Sequence, residues 1–172
     1  KRQNTSNTSE FNMNLSFLGK SDFCVPKRSH QLPMISLLAA GGWFILLSDG
    51  LSVTGIGANS DGQLGTGDTN NERDFSPARF KLQNDDRITQ LSCGHFHSAL
   101  VVSDRDLYTA GYNGVGQLCT GDTSNRSVFT LVTNECFSAG YKQVQCGGAH
   151  TVILTKDNRL FTVGWNSYFE CK

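Results

Sequence analysis

This chain has no excess of charge of either sign: fifteen Lys and Arg balance fifteen Asp and Glu. Without surplus cations to neutralise phosphates, it gives no strong nucleic-acid signal, and strongly acidic or basic partners are not favoured. It also lacks an apolar run of the roughly 20 residues that span a bilayer. The longest such run, "MISLLAAGGWFILL" at 34–47, reads as a buried strand pair, so no membrane contact is expected. No window shows a long amphipathic helical period, which argues against helix-pair repeats. The opening "KRQNTSNTSEFNMNLS" lacks the charged-then-apolar order of a secretory signal. An intracellular location, cytoplasmic or nuclear, is expected, with the Asn-x-Ser/Thr triplets unglycosylated and the six thinly spread cysteines reduced. Residues 1–22 are polar, low in complexity and expected to be a disordered tail.

Proline is scarce too, three against eighteen glycines, and a chain so punctuated by glycine calls for a search for self-similarity. "LSCGHFHSALVVSDRDLYTAGYN" at 91–113 returns as "VQCGGAHTVILTKDNRLFTVGWN" at 144–166. Gly94/Gly147, His97/His150, Asp104/Asp157, Leu107/Leu160, Gly111/Gly164 and Asn113/Asn166 all match 53 positions apart. "NSDGQLGTGDT" at 59–69 becomes "NGVGQLCTGDT" at 113–123, pairing Gly62, Gln63 and Leu64 with Gly116, Gln117 and Leu118, and Gly65 with Cys119. A worn third copy lies at 35–50, where Ala40 and Phe44 stand in the places of Cys93 and His97.

That substitution bears on the cluster Cys93 to His97, which otherwise suggests a zinc site or an activated thiol. A hydrophobe filling the same slot in another copy favours structure: His97 as a semi-buried ring bonded to a backbone group, Cys93 as a small hydrophobe. "GANSDGQLGTGD" at 57–68 lacks the Gly-Lys-Ser/Thr ending of a phosphate loop, and "DTNNERD" at 68–74 lacks the glycine and terminal Glu of a calcium loop. Trp43 and Trp165 follow the repeat and read as packing residues, not base-stacking platforms. No catalytic residue, cofactor or metal ligand is assigned.

Each unit reads as strand, turn, strand, with hairpin turns at Ser103–Arg105 and around Asp157, and with Leu107, Leu160, Phe161 and Val163 facing the core. Residues 123–143 read as a connecting excursion. An all-β repeat of roughly 53 residues fits propeller blades. The set G-x-x-H-[ST], a turn Asp, L-[YF]-T-x-G-x-N and G-Q-L-G-x-G-D resembles the repeat of the regulator of chromosome condensation superfamily over residues 35–172. It is carried by Gly94, His97, Ser98, Asp104, Leu107, Tyr108, Gly111, Asn113, Gly116, Gln117, Leu118, Gly121 and Asp122. A kelch propeller, suggested by Gly41-Gly42 and Gly147-Gly148, does not account for the G-Q-L block.

The resemblance implies a seven-bladed ring, of which this chain would be a partial β-propeller: an all-β body at 23–172, with repeats at about 35–87, 88–140 and an incomplete 141–172. Three copies cannot close a ring, so the natural chain is expected to continue past Lys172. The expected role is a non-catalytic protein-interaction module whose partner docks on the propeller loops, Thr69 to Pro77 and Thr123 to Ala139. The resemblance also implies two alternatives: guanine-nucleotide exchange on a Ran-like small GTPase, or the regulatory propeller of a larger enzyme such as a ubiquitin ligase. A first outcome follows for the opening motif. Elemental analysis of the purified protein is expected to find no stoichiometric zinc, and Cys93→Ala and His97→Ala to leave its metal content unchanged. Stoichiometric zinc lost in either variant would overturn the structural reading.

Overall fold

The computed structural model describes residues 34–83 and 85–167. The tail at 1–22, Cys24, Cys171 and the departing end of the last copy lie outside these residues. Three antiparallel sheets follow one another along the chain. The first holds β1 (Leu37–Ala40), β2 (Phe44–Ser48), β3 (Val53–Gly57) and β4 (Glu72–Pro77) in that order. The second holds β5 (Ile88–Cys93), β6 (His97–Val102), β7 (Asp106–Gly111) and β8 (Arg126–Leu131), again in chain order. The third joins β9 (Tyr141–Cys146), β10 (His150–Thr155) and β11 (Leu160–Gly164). Four-strand meanders repeated along a chain are propeller blades. Among the described residues the helical content is a 3-10 turn at Glu135–Phe137, capped by the Asn134 side chain, and no helix is long and apolar enough to cross a membrane.

The hairpins form where the sequence provides turn residues. Ser103 and Asp104 both take left-handed φ, 51° and 52°, and the Arg105 N–H bonds the Val102 carbonyl at 2.9 Å, so β6 and β7 close through a type I′ turn. Asn158, at φ 62°, serves the same purpose between β10 and β11. At the other end of the strands Gly111 sits at φ 108° beside a register shift in the β7–β8 pairing, a bulge in which a Cβ would lie 2.4 Å from the Phe96 carbonyl.

The blades pack face to face through two apolar seams. The first gathers Phe44, Leu46, Val53 and Leu64 against Ile88, Leu100, Val102, Ala110 and Phe129. The second gathers Ala99, Val101, Leu107 and Val132 against Phe137, Tyr141, Val144 and Ile153. Strand β6 serves both: Leu100 and Val102 point one way, Ala99 and Val101 the other, which is why "HSALVV" is buried throughout. The edge strands also meet in succession, and here polar side chains join them. Gln90 on β5 accepts from the Val144 N–H at 2.9 Å and Ser92 accepts from the Cys146 N–H at 2.9 Å, so side chains of one blade occupy the strand edge of the next.

Three expectations change. Of the loop expected at Thr69 to Pro77, Glu72–Pro77 form β4, the outer strand of the first blade. Residues 123–143 are not only an excursion, since 126–131 form β8, the outer strand of the second blade; Arg126 and Ser127 looked polar enough for a loop because outer strands face water. Leu160 is 66% exposed, unlike its counterpart Leu107, because Leu107 is covered by the third sheet whereas the corresponding side of β11 has no further sheet against it among the described residues.

The repeat glycines are explained by contact. A Cβ on Gly94 would stand 2.4 Å from the Gly147 carbonyl and 2.4 Å from the His97 ring, while a Cβ on Gly148 would meet nothing within 4 Å. Gly94→Ala is therefore expected to destabilise the fold by about 1–3 kcal/mol and Gly148→Ala by less than about 0.5 kcal/mol. Denaturant midpoints of the two variants measure the difference, and equal midpoints would show that the glycine does not set the blade spacing.

Candidate functional site

The repeated polar residues gather where the end of each blade's third strand runs into the G-Q-L loop. Asn59 and Asn113 are fully buried, and each folds its loop around its side-chain amide. The Asn59 Oδ1 accepts from the Leu64 N–H at 2.9 Å, while its Nδ2 donates to Thr66 Oγ1 at 3.0 Å and to the Asp68 carbonyl at 3.1 Å. Asn113 repeats these bonds with Leu118 at 2.9 Å, Thr120 at 3.1 Å and the Asp122 carbonyl at 2.8 Å. A backbone amide bonded this way needs no water, so the loop can be buried.

Gly62 and Gly116 open these loops at left-handed φ of 85° and 80°, Gln63 and Gln117 are buried behind them, and Leu64 and Leu118 are wholly enclosed. The Gln63 and Gln117 Oε1 atoms accept from the Asp61 and Val115 N–H groups at 3.0 and 3.2 Å. Gly65, at φ 70°, abuts the Phe129 ring of the next blade; Cys119, its counterpart, takes φ 61°, so the sequence departure leaves the backbone conformation unchanged. The backbone N–H groups of Asn70 and Ser124 hold the Asp68 and Asp122 carboxyls below the usual carboxylate range.

The same loops reach across the seams. The Gln63 carbonyl accepts from Ser98 Oγ at 2.7 Å, and the Gln117 carbonyl accepts from Thr151 Oγ1 at 2.8 Å. His97 Nε2 lies 2.9 Å from that same Thr151 oxygen. Because the threonine hydroxyl gives its proton to Gln117, it accepts from His97, which fixes the neutral ring with its proton on Nε2. His97 is thus fully buried and bonded to a hydroxyl of the next blade, not semi-buried and bonded to a backbone group as the sequence suggested. Its Nδ1 has no partner and lies against Gly94. A second proton there would be a buried cation with no acceptor. Burial first, and the neighbouring His150 second, accordingly push the His97 pKa down to about 4.

Burial likewise pushes the thiols of Cys119 and Cys146 up to about 12 and that of Cys93 well above its ordinary value, so none is a ready thiolate. Among the described residues no cluster of three or more His, Cys, Asp or Glu is arranged to hold a metal ion. Asp104 sits in its turn 3.7 Å from Lys156, and Asp157 accepts from Thr155 and from Arg159, the latter at 2.7 Å. Gly164, at φ 114°, ends β11 and Asn166 follows it, as Gly111 ends β7 and Asn113 follows that strand. The structure brings His97, Gln117, Leu118 and Asn113 to one seam and leaves Asp104, Asp157 and Leu160 at the opposite ends of the strands.

Sequence reasoning missed Asn71 and Asn125, whose Oδ1 atoms accept from the Asn59 and Asn113 N–H groups at 2.8 and 2.9 Å. They stand 54 positions apart, the spacing of the loop block itself, and that was the available signal. Gln90 recurs as Gln143 in the third copy, whereas Ser92 carried no such signal, since Ala39 and Gln145 occupy its places in the other copies.

Family models described as the regulator of chromosome condensation (RCC1) repeat match residues 53–101, and 88–117 with 141–170. The ultraviolet-B receptor UVR8 of Arabidopsis thaliana is 37% identical over 114 residues, which are 65% of this chain and 25% of that protein. The X-linked retinitis pigmentosa GTPase regulator homolog of Caenorhabditis elegans is 32% identical over 154 residues, 83% of this chain and 11% of that one. Among solved structures, yeast RCC1 (Prp20) bound to Kap60 superposes with a TM-score of 0.66 at 20% identity, covering 78% of this chain and 33% of that chain. The chain spans a quarter or less of the length of these curated relatives.

The depressed His97 pKa has a pH consequence. With about 4 in the fold against 6.5 in the unfolded chain, the unfolded state binds the extra proton between those values, so this contribution is complete above pH 6.5 and is lost as pH falls towards 4. The difference corresponds to about 3 kcal/mol. Unfolding free energies of the wild type and of His97→Phe, the residue type the first blade already uses, are expected to diverge in slope over that window, with the variant flatter. Parallel slopes would show that His97 titrates normally in the fold.

Proposed function

The chain belongs to the regulator of chromosome condensation repeat family, and from that premise we propose that it works as a non-catalytic protein-interaction module whose partner is a protein. One observation carries this reading: the recurring polar side chains are spent on the scaffold. Asn59 and Asn113 satisfy loop backbone, His97 and Thr151 join two blades, and Gly94 admits the carbonyl of Gly147. Thr151, the hydroxyl beside the His97 imidazole, is wholly buried and gives its proton to the Gln117 carbonyl, and the neutral thiols of Cys93, Cys119 and Cys146 supply no nucleophile either. The segments in which the copies differ most, 69–77 and 123–139, are largely exposed, and a rigid scaffold with variable exposed segments is built for recognition.

The segments that choose the partner are the exposed parts of Thr69 to Pro77 and of Thr123 to Ala139, with Arg73 and Glu135 at their surface. Free thiols at Cys93, Cys119, Cys136 and Cys146 suit a reducing compartment, in keeping with a cytoplasmic or nuclear location. Nucleotide exchange on a Ran-like small GTPase and service as the regulatory propeller of a larger enzyme, such as a ubiquitin ligase, are the other readings of the same scaffold.

Cross-linking of the full-length natural protein in cells, read by mass spectrometry, is expected to map a protein partner onto these two segments. Arg73→Glu and Glu135→Lys are expected to lower its recovery at least about tenfold with unchanged melting temperature, as rim charges that steer an encounter do. If the protein instead accelerates release of labelled guanine nucleotide from a Ran-like GTPase, the exchange reading replaces this one.

A further inference from the structure

The first and third sheets each have a second apolar face. In the first, Leu46 and Val53 turn to the seam with the second sheet, and strand alternation sends Leu38, Ala40, Ile45, Leu47 and Ile56 to the opposite side. The cross-strand register groups them there, with Leu38 beside Leu47, Ala40 beside Ile45 and Ile45 beside Ile56. In the third sheet Ile153 turns to the seam with the second, so Val152 and Leu154 turn away from it, and Leu160 stands opposite Leu154. Leu47 is already buried, but Leu38 and Leu160 are 67% and 66% exposed.

These two faces are the two halves of a seam that the chain forms twice. Val152, Leu154 and Leu160 stand 53 positions after Ala99, Val101 and Leu107, the second sheet's half of the second seam. Leu38 and Leu47 stand 53 positions before Leu91 and Leu100, which meet the first sheet, and those in turn stand 53 before Val144 and Ile153, which meet the second. The polar contact at the strand edge has both its halves as well. Gln143 is exposed and occupies the place of Gln90, which accepts from the Val144 N–H at 2.9 Å. In β9 the Gly147 N–H turns inward to the His150 carbonyl, while those of Val144 and Cys146 turn outward to Gln90 and Ser92. In β1 the Gly41 N–H likewise turns inward to the Phe44 carbonyl, so those of Leu38 and Ala40 face the open edge of the first sheet.

We propose that the third sheet of one copy of this chain docks on the first sheet of a second copy, rebuilding the seam between chains, with Gln143 accepting from the second copy's Leu38 N–H. Continuity with the existing seams selects the occupant. A second copy carries at equivalent positions the apolar side chains and the outward amides that already meet their counterparts twice within one chain. The contact is head to tail, so each copy uses a different face towards each neighbour, and such contacts form a ring wherever the rotation closes. Three sheets in each of two copies make six, within the roughly four to eight blades of closed propellers, so the expected assembly is a dimer. These faces are distinct from the segments 69–77 and 123–139, and the proposal is independent of the module reading.

Sedimentation equilibrium of the full chain is expected to show a reversible dimer. Leu38→Lys and Leu160→Glu alter side chains that are exposed in a single copy, so both variants are expected to keep the circular dichroism of the wild type while each weakens association at least about tenfold. Gln143→Ala, which leaves the apolar faces intact, is expected to weaken it by a smaller factor. An equimolar mixture of the Leu38→Lys and Leu160→Glu variants is expected to associate again, because one of its two seams joins a wild-type first sheet to a wild-type third sheet. A chain that stays monomeric, its faces covered by chain outside the described residues or by solvent, would overturn the proposal. So would association that neither charged variant weakens, or a mixture of the two that remains dissociated, since the contact would then not be head to tail.

Discussion

The first two blades each depend on an asparagine that behaves as backbone. Asn59 and Asn113, enclosed at the end of the third strand, give their loops the hydrogen bonds that a strand would have given, and so let a glycine-rich segment leave the sheet and still be buried. The loop then carries Leu64 or Leu118 inward and turns its Gln carbonyl towards the next blade, where Ser98 or Thr151 donates to it. An unsatisfied buried amide costs about 1–3 kcal/mol, so removing the asparagine would expose several such groups at once. Blade closure and blade stacking are in this sense one interaction seen from two sides.

The His97 bond shows how the seams differ. In the seam between the second and third blades a histidine donates to a threonine and two side chains of β5 occupy the edge of β9. In the seam between the first and second blades Phe44 stands where the histidine would be, with Leu37 and Ala39 where the polar pair would be, so those three positions are apolar there while the Ser98 bond to the Gln63 carbonyl is kept. Both solutions keep the glycine whose missing Cβ lets neighbouring turns approach. Backbone geometry is common to the blades and side-chain chemistry is not.

This division also organises function. Since the recurring residues are occupied by architecture, recognition is left to positions free to vary. On the proposed reading those positions are the exposed parts of residues 69–77 and 123–139.

The strand-turn-strand pattern together with the period of about 53 residues already read as all-β and as resembling a known propeller repeat, and Phe44 and Ala40 in the places of His97 and Cys93 favoured a structural reading of those two residues. Strand order within each blade followed from hairpin turns such as Ser103–Asp104, whose chemistry is local. Where His97 sends its proton was not legible, because its partner Thr151 lies 54 residues away across a seam that periodicity does not describe. Nor was the exposure of Leu160 against the burial of Leu107: identical residues at equivalent positions differ only in whether another sheet covers them. The outer strand at 126–131 was hidden for the same reason, since a strand with one face in water has too little apolar pattern to announce itself. Sequence determined what repeats; only tertiary structure decided what each copy touches, because contacts between blades join residues that no local propensity links.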